Sequence, residues 1–507
     1  MRVLLINPPF QRLKKVSSIY FPLSCGYLAG VLEQAGHEVR IYNAEVPARN
    51  EEIGHETYDN LLHGHQLWLN ALRPQVDEHN HVVWAEFMQT LREFNPDMIG
   101  FTVKSPKWPA AIKAAEMWKR EHPETIVVMG GPHITVLPEE VMGYPTVDFC
   151  VREEGEYTLL ELVEALEGKG KPFAAIEGLS WRQTDGAVVH NVARAKIPNL
   201  DVLPFPAKHL SLYLDRYDPA HLGVMVTLRG CPFYCGFCEQ HKTWGRSVRF
   251  HSVDYTVREI KHIIQTFGTR EISFWDDSFT VNRKRTLDLC KRILDDKLNI
   301  SWSCTTRVDL LDEEQVMWMK KSGCSGVDIG VETGSARMMK LIDKATTPER
   351  VAEASQLMTK YKLNWSAFFM MGFPEETEED IEATKRFMQE IKPNHIIMSI
   401  FTPYPGTPQH EVAKRLNLLP AKIDWSRFSH QSPENHFVQN ISRERFSEIV
   451  TDMMAFVDDI NNGWQLKVQR VLNDWRFWAR HPLLLTQKTV HSIRGRGLGL
   501  GTIRPLG

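Results

Sequence analysis

Short apolar runs alternate with helix-like segments along most of this 507-residue chain. The first five runs are rich in β-branched residues and read "RVLLINP", "EVRIYNA", "MIGFTV", "TIVVMGG" and "DFCVRE", with helical periodicity in segments between them such as "SCGYLAGVLEQAG". Strands that alternate with helices need right-handed crossovers and form a parallel sheet. Residues 1–195 are therefore predicted to form a doubly wound, Rossmann-like α/β domain.

A His-rich stretch at residues 44–92 interrupts this first series. Its five histidines lack the Cys or carboxylate spacing of a metal site, so they are interpreted as surface residues of a helical insertion.

A second alternating series follows a Pro-containing linker at residues 196–217. Its strands are expected in "LGVMVTL", "REISFW", "ISWSCTT", "SGVDIGV", "NWSAFFMMG" and "NHIIMSI". Six β/α units in residues 218–430 predict a partial (β/α)6 barrel of the TIM type, and the pattern from about residue 410 is mainly helical. Residues 431–507 are predicted to be a helical C-terminal region with a basic tail.

Composition limits the classes of function that fit this chain. A formal net charge of -3 provides no basic field that would attract nucleic acid. No apolar run is long enough to span a bilayer, and eight cysteines without regular pairing spacings fit a reducing compartment. We therefore expect a cytoplasmic globular protein.

Three cysteines lie close together in "TLRGCPFYCGFCEQH", in the loop after the first strand of the second series. They are Cys231, Cys235 and Cys238. This loop lies at the rim where barrel enzymes place their chemistry. A four-iron cluster normally takes four thiolates, so three protein thiolates leave one iron open to a reactant. Zinc held with His241 and ordinary packing thiols are the alternatives. The other five cysteines are interpreted as core thiols: Cys25, Cys150, Cys290, Cys304 and Cys324.

The C-x3-C-x-aromatic-C pattern resembles the signature of radical S-adenosylmethionine (SAM) enzymes. Segments after the later strands strengthen the resemblance, namely "FWDDSFTVN", "SCTTRVDLL", "IGVETGS", "MGFPEETEED" and "FTPYPGTP". They look like the branch with an N-terminal cobalamin-binding domain, which includes radical methylases and the anaerobic magnesium-protoporphyrin monomethyl ester cyclase. The resemblance covers residues 1 to about 430. It implies three cofactors: a 4Fe-4S cluster, SAM and cobalamin.

The resemblance also assigns SAM contacts to the strand ends. Asp276 and Asp277, which stand where many members carry Gly-Gly-Glu, would bind the ammonium of SAM. Arg307 would pair with its carboxylate and Glu332 with the ribose hydroxyls. Three further residues are expected beside the adenine: Phe237, Gly372 and Pro374. The alternative for the four charged residues is that they are solvated loop charges. The alternative for the three residues beside the adenine is packing alone.

Cobalamin is expected at the carboxyl ends of the first-domain strands, where ligands of doubly wound sheets bind. The loops there supply ten candidate residues: Asn7, Pro8, Thr102, Ser105, Gly130, Gly131, Pro132, His133, Glu153 and Glu154. The familiar cobalamin pattern D-x-H-x-x-G is absent, because "DEHNH" at 77–81 lacks the glycine. His133 is the only nearby candidate for a cobalt ligand and is interpreted as a loop residue instead. Cobalamin bound without a protein ligand to cobalt is expected, with a vestigial domain as the alternative.

These features predict an enzyme that cleaves SAM to a 5'-deoxyadenosyl radical and methylates an unactivated carbon with cobalamin. Oxidative ring formation by a cyclase is the main alternative, and a non-catalytic redox or cobalamin sensor is another. The cluster requires a flavodoxin- or ferredoxin-type electron donor. The substrate is expected to be a small or lipid-like molecule.

The tail at residues 464–507 carries eight Lys or Arg residues against one acid, Asp474. Four aromatic residues interleave with them: Trp464, Trp475, Phe477 and Trp478. Two interpretations remain open. The tail is either a helix that packs against the barrel or a segment that contacts a membrane surface.

Overall fold

The computed structural model describes residues 1–14, 16–17, 19–49, 51, 54–55, 81–430, 432, 434–463 and 472. Most of the His-rich stretch and all of the basic tail except Leu472 lie outside the described residues, so the predictions for both stay predictions.

The first sheet has seven strands in the order β2-β1-β3-β4-β5-β6-β7. The strands are β1 Arg2–Asn7, β2 Glu38–Asn43, β3 Met98–Thr102, β4 Ile126–Gly130, β5 Phe149–Val151, β6 Leu179–Arg182 and β7 Val188–His190. The five predicted strands are confirmed and are mutually parallel. The antiparallel hairpin of β6 and β7 was not predicted.

Helices cover both faces of this sheet, because alternate strand residues point to opposite sides. In β1, Leu4 and Ile6 face one core, whereas Val3 and Leu5 face the other. The helices are α1 Leu23–Gln34, α2 Val82–Phe94, α3 Trp108–Glu121, α4 Pro132–Val136, α5 Pro138–Met142 and α6 Glu156–Leu166. The strand order reverses between β1 and β3, which places a ligand crevice at their carboxyl ends.

The second sheet has six parallel strands in sequential order. They are β8 Val224–Met225, β9 Glu271–Phe274, β10 Ser301–Thr306, β11 Cys324–Glu332, β12 Trp365–Met371 and β13 His395–Ile400. All six predicted strands are confirmed. The helices of this part are α7 Gln240–Thr243, α8 Val253–Phe267, α9 Arg283–Asp295, α10 Glu313–Lys321, α11 Ala336–Leu341, α12 Pro348–Lys360, α13 Glu378–Ile391, α14 Pro408–Arg415 and α15 Arg443–Asn462.

The chain between α14 and α15 is less helical than predicted. The described residues between α14 and α15 form no helix. Instead, this segment packs Trp425, Phe428 and Phe437 against the core beneath α2 and α3, and Trp425 Nε1 donates to Glu140 Oε1 over 2.7 Å. Large aromatic side chains bury enough apolar surface to hold an irregular segment in place. The segment thereby joins the two halves of the molecule.

Helix α15 covers the edge of the second sheet. The buried side chain of Asn461 accepts a hydrogen bond from Ile396 N and donates one to Ile396 O, both over 2.8 Å. These bonds satisfy backbone groups on the edge strand β13, which would otherwise be open to another strand. No helix within the described ranges has the length and apolar character that a membrane crossing requires.

Candidate cofactor sites

The three cysteines of the loop line one cavity of about 580 Å³ at the carboxyl ends of the second sheet. All three are free thiols. Backbone hydrogen bonds hold the loop, from Cys231 N to Gly245 O over 3.3 Å and from Gly236 N to Ile342 O over 2.7 Å. Of the predicted SAM residues, five share this cavity with the cysteines: Phe237, Asp276, Asp277, Arg307 and Glu332.

Burial controls the chemistry of the thiols. It raises the pKa of Cys231 and raises that of Cys238 to about 12. A metal that binds such thiols must displace their protons, and its positive charge supplies the driving force. Among the described residues, no three His, Cys, Asp or Glu side chains are grouped so that they could hold a single metal ion. In a four-iron cluster, by contrast, each thiolate binds its own iron.

The two neighbouring aspartates have different environments. Asp276 accepts hydrogen bonds from Thr227 N, Thr227 Oγ1 and Leu228 N at 2.5–3.0 Å, so both of its oxygens are engaged in holding the strand that enters the cysteine loop. Asp277 lines the cavity, and burial beside Asp276 raises its pKa to about 7. A carboxylate in such a site is stabilised by a cationic ligand. Asp277 therefore fits the ammonium of SAM better than Asp276 does.

Glu332 lies at the end of β11 in a left-handed backbone conformation, with φ of 71°. Lys344 Nζ donates to Glu332 Oε1 over 2.7 Å and lies 5.7 Å from the centre of the Phe237 ring. A non-glycine residue with positive φ is strained, and such strain concentrates at functional sites. Lys344 was not predicted, because nothing in "DKATT" marks it as a cavity residue.

Gly372 and Pro374 are not part of the wall of the cysteine cavity. Gly372 has φ of 90°, and a Cβ atom there would lie 2.7 Å from the Phe446 ring of α15. The buried Glu376 accepts hydrogen bonds from the backbone nitrogens of Gly372 and Phe373. Phe373 in turn packs against Phe237. The turn thus supports Phe237 from behind, and a direct contact with adenine stays a prediction.

A second cavity of about 270 Å³ lies in the first domain, beside α1 and α6. Six predicted cobalamin residues line it: Thr102, Gly130, Gly131, Pro132, Glu153 and Glu154. Five residues from the other half of the chain also line it and were not predicted: Val226, Arg229, Gln240, Thr243 and Trp244. Lys104 and Gln240 line both cavities, so the two sites are neighbours.

The "NPPF" loop makes internal contacts and does not line the first-domain cavity. Asn7 Nδ2 donates to Asn43 Oδ1 over 2.7 Å. Lys107 Nζ donates to Asn7 Oδ1 over 2.8 Å and to the carbonyl of Pro8 over 3.0 Å. Buried polar groups of this kind need such partners. The assignment of Asn7 and Pro8 to cobalamin therefore rests on the resemblance alone.

His133 lies in the protein interior, 1% exposed, and lines neither cavity. Its Nδ1 is 3.1 Å from Ser105 Oγ, and its ring stacks on Trp108 and meets Trp425 edge-on. Burial lowers the pKa of His133 to about 4. Ser105, bonded to it, is likewise away from both cavity walls. The interpretation of His133 as a loop residue is therefore wrong, because it is a buried residue of helix α4, and its absence from the cobalt stays a prediction.

The residues of both cavities fit the expected cofactors. Gly131, which lines the first-domain cavity, has φ of 110°, and a Cβ atom there would lie 2.8 Å from the backbone of Val103, so only glycine fits where these two chain segments meet at the wall. The cysteine cavity combines three unpaired thiols with the Asp277 carboxylate. The first-domain cavity would hold part of a cobalamin, and the cysteine cavity would hold a cluster with SAM.

Comparison with known proteins gives a cobalamin-binding domain followed by a radical SAM domain, which is the order of the two predicted functions along the chain. The radical SAM superfamily model matches residues 225–388, and the B12 binding domain model matches residues 62–163. The chain is 34% identical to an uncharacterized methyltransferase of Pyrococcus horikoshii, PH0819, over 85% of this chain and 87% of the relative. It is 28% identical to the anaerobic magnesium-protoporphyrin IX monomethyl ester cyclase of Rubrivivax gelatinosus, over 80% of this chain and 68% of the relative.

A solved structure shares the fold. It is TsrM from Kitasatospora setae, a radical S-adenosylmethionine methyltransferase with cobalamin and a 4Fe-4S cluster bound. The TM-score is 0.66 at 17% identity, over 91% of this chain and 92% of TsrM.

The chain belongs to the radical SAM enzymes that carry a cobalamin-binding domain. The cofactors of this family are a 4Fe-4S cluster, SAM and cobalamin, and the predicted family is confirmed. The protein is therefore an enzyme.

Proposed function

We propose that the protein methylates an unactivated carbon of a small-molecule substrate. The observation that carries this proposal is the shared wall of the two cavities, to which Lys104 and Gln240 both contribute. A substrate at this wall is within reach of both sites. When bound, the cluster and one SAM would supply a 5'-deoxyadenosyl radical, and cobalamin would supply a methyl group that it receives from a second SAM.

The chain's own residues bind and orient these groups. Cys231, Cys235 and Cys238 would hold three irons and leave the fourth free for SAM. Asp277, which lines the cavity, would accept from the ammonium of SAM. Glu332, held by Lys344 at the end of β11, would accept from the ribose hydroxyls. Arg307 remains a candidate for the SAM carboxylate, although its guanidinium already bonds Asp309 and the carbonyl of Lys344.

The six-stranded sheet supports a partial barrel of the TIM type as the frame of this site. Its strands are parallel and sequential, and within the described residues β8 and β13 each pair with one neighbour only. A sheet that stays open leaves a side entrance. Tyr404 and His430, which line the cysteine cavity, come from the chain that follows β13 and are candidates for substrate contact.

Electrons must enter from outside, because cleavage of SAM consumes one electron per turnover. A low-potential donor of the flavodoxin or ferredoxin type fits this need. The basic, aromatic tail, which lies outside the described residues, is the reason why the proposal includes an apolar or lipid-like substrate. If the tail contacts a membrane surface, the enzyme would lie beside a source of such molecules.

The test is anaerobic turnover of the reconstituted protein with SAM that carries a deuterated methyl group. Extracts of cells that lack the gene provide the candidate substrates. We expect 5'-deoxyadenosine and a product with a methyl group that carries the label. Release of 5'-deoxyadenosine with an unlabelled, newly cyclised product would instead favour ring formation, the activity of the Rubrivivax relative. No 5'-deoxyadenosine at all would contradict both reactions.

A further inference from the structure

The two ends of the cysteine loop form part of the wall of the first-domain cavity. Arg229 lies two residues before Cys231, and Thr243 and Trp244 lie shortly after Cys238. All three line the cavity of about 270 Å³, together with acidic residues of the first domain. The same chain segments therefore anchor one site and enclose the other.

Arg229 is the centre of a buried group of charges at this wall. Its guanidinium lies 3.3 Å from a Glu154 oxygen and 2.5 Å from a Glu156 oxygen. The side chains of all three residues are at most 6% exposed. Ion pairs that are shielded from water keep most of their attraction, so these contacts are sensitive to small changes of geometry. Glu154 lies in the turn between β5 and α6, and Glu156 is the first residue of α6, so the pairs cross from one domain to the other.

The far end of the loop is attached to the same turn. Arg249, which pairs with Arg229 in a short antiparallel bridge, lies 2.7 Å from Glu154 and donates to the carbonyl of Trp244. Lys196 donates to the carbonyl of Thr243 over 2.6 Å and pairs with Glu153 at 2.7 Å. Both ends of the cysteine loop are thus bonded, directly or through one side chain, to residues 153–156.

We infer that Arg229 is a positioning residue through which cobalamin binding in the first-domain cavity is coupled to SAM binding at the cysteine loop. A ligand in the first-domain cavity restricts the wall that Arg229, Thr243 and Trp244 provide. That restriction fixes the loop, so SAM meets a site that is already ordered. Coupling of binding free energies is reciprocal, so SAM must strengthen cobalamin binding by the same factor. The inference rests on the family's cofactors and is independent of methyl transfer.

The coupling can be measured without turnover. Anaerobic protein with a reconstituted cluster is titrated with hydroxocobalamin by equilibrium dialysis, with and without saturating SAM. We expect the Kd for hydroxocobalamin to fall at least about fivefold when SAM is present, and the Kd for SAM to fall by the same factor when cobalamin is present.

Arg229→Gln tests the residue. The ratio to compare is the Kd for hydroxocobalamin without SAM divided by the Kd with SAM. We expect this ratio to fall to about one in Arg229→Gln. The variant should retain about four irons per chain, because the three cysteines are untouched. Arg229→Lys keeps the charge but loses the second arm of the guanidinium, and an intermediate ratio is expected. The matched control is Arg194→Gln, which removes an ion pair with Glu161 at a position that lines neither cavity. This variant should keep the ratio of the unaltered protein.

A milder variant covers the case in which Arg229→Gln does not fold. Lys196→Met removes the bond to the carbonyl of Thr243 and the ion pair with Glu153 while leaving the Arg229 and Arg249 contacts in place, and Lys196 is 27% exposed. Its ratio should fall at least about twofold. The inference is overturned by a ratio below two in the unaltered protein, by Arg229→Gln or Lys196→Met with an unchanged ratio, or by loss of iron in a folded Arg229→Gln. Methylation need not occur for any of these results.

Discussion

The Nη1 atom of Arg307 lies 3.4 Å from the sulfur of Cys235, the middle cysteine of the loop. The guanidinium is held there by Asp309 at 2.9 Å and by the carbonyl of Lys344 at 2.6 Å, and it lies 3.8 Å from the centre of the Phe233 ring. A cation fixed beside a sulfur stabilises negative charge on the thiolate and on the cluster that it binds. We therefore predict a role for Arg307 at the cluster in addition to the predicted one at SAM.

Arg307→Gln should lower the midpoint potential of the bound cluster by roughly 60 mV, which corresponds to a tenfold change in the equilibrium constant of a one-electron reduction. The physical reason is that the reduced cluster carries one more negative charge and loses a neighbouring cation. Potentiometric titration followed by electron paramagnetic resonance measures the shift. Arg283→Gln removes a cation that forms exposed ion pairs with Asp312 and Glu314, and it should leave the potential unchanged. If Arg307→Gln has the same midpoint potential as Arg283→Gln and the unaltered protein, this role of Arg307 is excluded.

Single substitution of Cys231, Cys235 or Cys238 by alanine should abolish SAM cleavage, because each thiolate holds a separate iron. The control is Cys290→Ala, since Cys290 is fully buried in α9 and remote from the cavity wall. That variant should keep about four irons per chain and lose about 1–2 kcal/mol of stability. Anaerobic iron analysis and assay of 5'-deoxyadenosine check both. One zinc and no iron in the unaltered protein would restore the zinc alternative.

The fold was predictable from the sequence because its signals are local. Eleven strand predictions are confirmed, since β-branched runs bounded by turn residues identify buried parallel strands without any tertiary information. The cysteine spacing is equally local. The hairpin of β6 and β7 was missed, because its strands are three or four residues long and half-exposed.

The contacts between distant segments were not predictable. No property of Arg229 or Lys344 in the sequence reveals that one meets Glu156 and the other Glu332. Asp276 and Asp277 are adjacent and chemically identical, yet backbone donors engage only the first in the described structure. Such differences arise from how strands and loops meet in three dimensions, which a spacing pattern does not encode.

Gly131→Ala should weaken cobalamin binding and lower stability together. The backbone at Gly131 has φ of 110°, and the added Cβ would meet Val103 backbone atoms at 2.8 Å. Strain of this kind costs about 1–3 kcal/mol before the clash is counted. Gly186→Ala is the matched control, because Gly186 has φ of 87° but nothing within 4 Å of an added Cβ. Thermal unfolding and hydroxocobalamin titration separate the two effects. If both variants bind cobalamin equally well, the close packing of the Gly131 and Val103 backbones is not required for cobalamin binding.

Truncation after Asn462, the last residue of α15, should abolish binding to anionic liposomes if the basic tail contacts membranes. The full chain would then float with such vesicles at low salt and be released at high salt, because exposed charges are screened. The competing interpretation, a tail that packs on the barrel, predicts no flotation of the full chain. It also predicts a truncated protein that aggregates.

Glu259 should make the protein less stable as the pH rises from about 4.5 to about 7. Its carboxyl group is 1% exposed, and within the described residues neither oxygen has a hydrogen-bond partner. Burial, with Asp276 nearby, raises the pKa of Glu259 to about 7, against the opposing effect of Lys208. The folded state therefore binds a proton that the unfolded state has released in this range. By linkage, stability is fully present below the unfolded pKa and is lost as the pH rises through the folded one.

The loss reaches at most about 3.5 kcal/mol, since one pKa unit corresponds to about 1.4 kcal/mol. Glu259→Gln has a similar shape but cannot ionise, so its melting temperature should change less between pH 5 and pH 7.5 than that of the unaltered protein. Burial also lowers the pKa of Lys208, to about 8, so Lys208 affects stability only above this range. Calorimetry at several pH values measures both proteins. Parallel pH profiles for the two would show that the folded protein keeps Glu259 ionised throughout.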